Sequence, residues 1–103
     1  MTEKTLLHVT DPASWKAGQL SGVLRPPSLE TVGFVHLCDP SQLDGVLARF
    51  FQGQRDLVIL HLEPDRLPAE ALRFELVPDV PGERFAHLYA PLPVNAVRSV
   101  EVR

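Results

Sequence analysis

The chain has 103 residues, 45% of them hydrophobic, and a net charge of −3 with its four histidines neutral. That is the size of a single domain, residues 1–103, with enough apolar material for a core that needs no disulfide or metal staple. The lone cysteine, Cys38, excludes an intramolecular disulfide and fits a cytoplasmic setting, no apolar run has membrane-spanning length or leader character, and the scattered arginines form no dense basic block of the kind nucleic acid calls for.

Residues 5–9 read as the first strand. Asp11-Pro12 then opens a helix, with Asp11 as N-cap and Pro12 in the first turn. This helix carries Trp15 as a core anchor and ends near Gly22. Residues 23–27 read as a loop that Pro26-Pro27 keeps extended. Ser28, Glu30 and Thr31 predict a short helical turn before Gly33, and residues 34–37 a second strand. Asp39-Pro40-Ser41 repeats the cap grammar, so a second helix is expected over 40–51. Leu43, Val46, Leu47 and Phe50 recur at helical spacing as its buried face, and Gly53 ends it.

Residues 57–62 are nearly continuous apolar sequence, the mark of a central strand covered on both sides. Pro64-Asp65 turns the chain into a strand over 72–77. There Glu75 shares a face with Arg73 and Val77, while Phe74 and Leu76 point the other way. Residues 79–83 read as a loop and 85–89 as a strand, followed by breaks at Pro91 and Pro93. Residues 94–102 close the fold, with Val97, Val100 and Val102 supplying apolar contacts. The expected fold class is α+β, a mixed, largely antiparallel sheet with two helices packed against it.

Three strands carry a histidine near one end. Side chains two apart share a face, so His8 lies beside Thr10, His36 beside Phe34, and His87 beside Phe85 and Tyr89. Aromatic walls with a few convergent polar groups describe a small-molecule pocket, and Tyr89 offers both a stacking face and a hydroxyl. His61, in the most apolar strand, reads as structural. Each of the other three also has a plain reading, a ring nitrogen bonded to a nearby carbonyl or hydroxyl. Glu75 is either a solvated or Arg-paired strand residue or a carboxylate that stabilises positive charge on a sugar ring. Glu30 is a weaker candidate for that role. Ser28 either caps its turn or contacts ligand, and Gln42 reaches back to the His36 strand or faces water. Cys38 lacks an orienting partner and reads as a small half-buried residue.

The ordered set His8-Val9-Thr10, Trp15, Ser28-Leu29, Gly33-Phe34-Val35-His36, Gln42, Arg49-Phe50-Phe51, Phe74-Glu75 and Phe85-Ala86-His87-Leu88-Tyr89 resembles the domain-of-unknown-function 952 family. That family is similar in fold to ADP-ribosyltransferases. The resemblance implies a sheet split in two halves around a cleft, with NAD as cofactor. In those enzymes a strand-one His-Gly-Ser/Thr motif holds a ribose, an aromatic stacks on nicotinamide and an acidic residue assists transfer. His8 and Thr10 match the outer positions of that motif, and Val9 replaces its glycine.

The expected function is therefore a nucleotide ligand, such as NAD, bound by His8, Thr10, Ser28, Phe34 and Tyr89. His36, His87 and Glu75 are the catalytic candidates for an ADP-ribosyltransferase-like step, and neither nucleic acid nor membrane is expected as a partner. The alternatives are a non-catalytic binding or interaction module and a metal-dependent hydrolase using three imidazoles, although no close-spaced histidine pair supports a metal.

Overall fold

The computed structural model describes residues 5–78 and 80–103. Its elements run β1 (Leu6–Thr10), α1 (Pro12–Ser21), β2 (Val23–Leu24), α2 (Pro27–Thr31), β3 (Val35–His36), α3 (Leu43–Phe50), β4 (Val58–Leu62), β5 (Leu72–Val77), β6 (Val80–Leu88), β7 (Leu92–Pro93) and β8 (Val97–Val102). The fold is α+β. Every strand pairing among the described residues is antiparallel. The strands form three sheets, ordered β1-β4-β8, β2-β7 and β3-β6-β5. The expected mixed sheet is thus corrected to three antiparallel ones. The two larger sheets touch where Leu7 and Cys38 exchange backbone hydrogen bonds of 2.7 and 2.9 Å. The two-residue β3 is too short to extend that pairing into a continuous ladder. Among the described residues, no helix is long and apolar enough to cross a membrane.

The helix ends follow their capping chemistry. The Asp11 carboxylate accepts from the Ser14 backbone N–H at 2.7 Å, and Gly22, in the left-handed region at φ 93°, closes α1 onto the Gly18 carbonyl. Asp39 and Gln42 form a reciprocal capping box. The expected helix over 40–51 begins instead as a 3-10 turn, Pro40–Gln42, before α3. The expected turn at Ser28 is α2, a third helix.

The core has two layers, divided by strand alternation. Val58, Leu60 and Leu62 of β4 join Leu6, Val35, Leu37, Ala86 and Leu88 on one side. Ile59 joins Leu7, Cys38, Leu43 and Phe85 on the other. His61 is half-buried and its Nε2 lies 3.2 Å from Glu101 Oε1 on β8.

Several side chains depart from the expected pattern. Phe50 is 52% exposed, and Phe51 packs on the second layer in its place. Phe51 is the C-cap, with non-helical backbone at φ −128° and ψ 20°, so helical periodicity does not govern where its ring goes. Phe74 and Leu76 face solvent. In the β5–β6 register Glu75 stands opposite Phe85 and Arg73 opposite His87, which puts Glu75 and Val77, both half-buried, on the face of those β6 side chains while Arg73 stays exposed. Val100 and Val102 are likewise exposed, and Val97 alone of the three packs on the core. β6 starts at Val80, within the expected loop, because a bulge opposite Leu76 and Val77 lets Pro81, Gly82 and Glu83 run on as strand. Asp79 lies outside the described residues. Val23 and Leu24 pair with β7.

Candidate functional site

β1 meets the segment that follows β3 at Leu7 and Cys38. His8 comes next along β1 and lines a hollow beside His36. Its alternation partner Leu6 belongs to the first core layer, whereas Cys38 and Phe85, which share faces with His36 and His87, belong to the second. His8 therefore reaches the same hollow from the opposite side of its sheet. Its Nδ1 donates to the His36 carbonyl at 2.9 Å, which fixes the proton on Nδ1. Burial holds the His8 imidazole below its ordinary pKa, more strongly than the carbonyl contact raises it.

A cleft of about 480 Å³ lies here. His8, His36, His87 and Ser28 line it, together with Pro26, Pro27, Phe51 and Phe85. A neighbouring cavity of about 380 Å³ shares His8, Val9, Pro26, Pro27 and Phe51 with it and adds Thr10, Arg25 and Gln54. Glu75 and Tyr89 line neither; they flank a separate, shallow outer depression with Arg73.

The His87 ring is buried between these regions. Phe34 stacks on it, with ring centroids 3.9 Å apart and planes 17° from parallel. The His36 ring meets it edge-on at 5.9 Å. Burial, and then the proximity of His87, lower the His36 pKa. The His87 Nδ1 donates to Glu75 Oε1 at 2.8 Å, and the Tyr89 hydroxyl donates to the same oxygen at 2.6 Å. The Tyr89 bond, then the His87 bond, hold the Glu75 carboxyl below the usual range, and the same carboxylate raises the Tyr89 phenol.

Of the expected site residues, four converge on one cleft: His8, Ser28, His36 and His87. Phe34 backs His87 and sits 5.2 Å from Tyr89, centroid to centroid. Thr10 lies in the adjoining cavity. Glu75 is tied to His87 and Tyr89, so it stands behind an imidazole instead of over a sugar site. Ser28 donates its hydroxyl to the Phe34 carbonyl at 2.7 Å, closing the turn into β3. Gln42 reaches β6 and not the His36 strand: its amide donates to the Arg84 carbonyl at 3.0 Å. Glu30 is exposed in α2. Cys38 is buried, and burial followed by the nearby Asp39 charge pushes its thiol up to about 12, far from a reactive thiolate.

Pro26, Pro27, Phe51 and Arg25 were absent from the sequence candidates. The Pro-Pro pair was visible as a rigid segment, but nothing local places it against β1. Among the described residues, no three His, Cys, Asp or Glu side chains are placed to hold a metal ion. The three imidazoles are thus not disposed as the ligand set that the three-histidine hydrolase needs.

The family model described as a protein of unknown function, DUF952, matches residues 9–100. A crystal structure of protein CC0527 from Caulobacter crescentus superposes with a TM-score of 0.86 at 31% identity, covering 95% of this chain and 84% of that one. Its solution structure matches with a TM-score of 0.79 at 32% identity, over 94% of this chain and 82% of that one. No curated protein matches the chain.

Proposed function

The chain belongs to the DUF952 family, and from that premise and the cleft we propose that it binds a nucleotide such as NAD, as a cytoplasmic domain with an ADP-ribosyltransferase-like arrangement of two sheet halves about its ligand. The observation that carries this reading is the convergence of imidazoles from β1, β3 and β6 on one hollow. Its size falls within the range of roughly 300–1,000 Å³ usual for small-molecule sites.

Two linked cavities suit a two-part ligand. His8 lies on their shared boundary and Thr10 just beyond it, where both can bond ribose hydroxyls. Arg25 in the second cavity supplies a cation for a pyrophosphate. Ser28 and His36 offer polar groups in the first. Phe34 and Tyr89 form an aromatic flank around His87, with Phe34 the nearer to the cleft's imidazoles. The bond at issue is the one between ribose and nicotinamide: an acceptor hydroxyl or water forms the new bond to the anomeric carbon as nicotinamide leaves with the bonding pair, with Glu75 acting through His87.

Titration calorimetry with NAD, ADP-ribose and ATP tests the reading on folded protein. Heat from at least one, abolished in the His8→Ala variant, supports it; silence from all three ends it. Nicotinamide detected by mass spectrometry after long incubation with NAD identifies a transferase. Binding without release identifies a non-catalytic module.

A further inference from the structure

We infer that Nε2 of His87 is the cleft's hydrogen-bond acceptor for a ligand hydroxyl, with Glu75 and Tyr89 acting from behind as positioning residues. The inference rests on the nucleotide reading and deepens it, because a ribose presents such hydroxyls.

An ionised carboxylate only accepts hydrogen bonds. With Glu75 Oε1 2.8 Å from Nδ1, the proton of the neutral ring sits on Nδ1 and the lone pair is left on Nε2. The two nitrogens point to opposite sides of the ring. Nδ1 faces the pair Glu75 and Tyr89, which line the outer depression. His87 itself lines the cleft. Its side chain is only 4% exposed, and Nε2 is buried with no hydrogen-bond partner among the described residues.

Buried polar atoms are nearly always satisfied, and an orphan is costly to maintain. Here the surroundings hold the orphan in place. Phe34 stacked at 3.9 Å fixes the ring plane. The Tyr89 hydroxyl, at 2.6 Å on the same Glu75 oxygen, fixes the carboxylate. The two hydrogen bonds also keep Glu75 ionised, since they hold its pKa down. A ring locked in place, with Nδ1 held on Glu75 and Nε2 left without a partner among the described residues, is built to receive a donor. A hydroxyl fits that lone pair; a phosphate, which offers only acceptors when ionised, does not.

The test is long-range proton–nitrogen NMR on protein labelled at histidine, alone and with ADP-ribose, alongside calorimetry. The expected free spectrum gives His87 a protonated, pyrrole-type Nδ1 and an unprotonated, pyridine-type Nε2. Bound ADP-ribose then moves the Nε2 signal toward the hydrogen-bonded range. In Glu75→Gln the two nitrogens share the proton and affinity falls severalfold, while Tyr89→Phe has a smaller effect of the same sign. His87→Phe weakens ADP-ribose about tenfold, the worth of one hydrogen bond. Should that variant fail to fold, the wild-type spectra still decide. A protonated Nε2 in the free protein overturns the assignment, as does binding heat with an unmoved Nε2 signal. No heat from any nucleotide removes the underlying reading, and this assignment with it.

Discussion

Burial disfavours the charged forms of His8 and His36 in the folded chain, and that makes the protein acid-sensitive from the ordinary imidazole range downward. Both sit below their ordinary 6.5 in the folded chain, first because of burial. Between the folded pKa and 6.5 the unfolded chain binds more protons, so stability rises with pH there and falls as pH drops. Asp11, Glu75 and Glu101 are depressed as well, each chiefly by hydrogen bonds. Their stabilisation is present above the ordinary carboxylate values and is lost as pH falls through the lower folded ones. The urea midpoint is therefore expected to decline in two stages between pH 8 and pH 3, the first beginning near 6.5. His8→Gln, which keeps an N–H for the His36 carbonyl, should shrink the first stage to the part that His36 contributes and leave the second unchanged. A midpoint that stays level from pH 7 to pH 5 contradicts this account.

At the scale of elements, capping residues and glycines set boundaries, but the exposure of each face depends on what lies beyond the segment. Asp11, Gly22, Asp39 and Gln42 act through bonds within a few residues, so the starts of α1 and of the Pro40 turn were legible in the sequence. The end of α3 was legible to within a residue, but which side chain it buries there was not. A heptad-like reading buries Phe50, whereas the non-helical Phe51 swings its ring under the second core layer. Phe51→Ala is expected to cost about 2 kcal/mol, roughly half the figure for a fully buried ring. Phe50→Ala should stay within about 0.5 kcal/mol. Urea denaturation of the two variants checks the order, and equal losses would show that the helix continues through Phe51. Glu75 illustrates the same limit in a strand. Its alternation with Phe74 and Leu76 left it open between a solvated or Arg-paired residue and a sugar-facing carboxylate, and only the pairing of β5 with β6 sets it against His87.

At the scale of the whole molecule, β4 is the member that both layers depend on. Ile59, Leu60 and Leu62 are fully buried, and β4 pairs with β1 on one side and β8 on the other. Leu60→Ala is expected to cost about 2–5 kcal/mol in urea denaturation, and the β4 amides to exchange with solvent only at the rate of global unfolding. Faster exchange in β4 than in β1 would overturn that ranking. The sequence by itself determined the α+β class, the capped helices, the apolar central strand and the three strands that carry His8, His36 and His87. Those are products of local propensity and side-chain period, which act within a few residues. The tertiary structure decided how the strands divide among sheets, that His8 meets the other imidazoles from the far side of its own strand, and that Glu75 and Tyr89 stand behind His87. Such outcomes depend on pairings between segments distant in the chain, through a register and a layer order that no local pattern encodes.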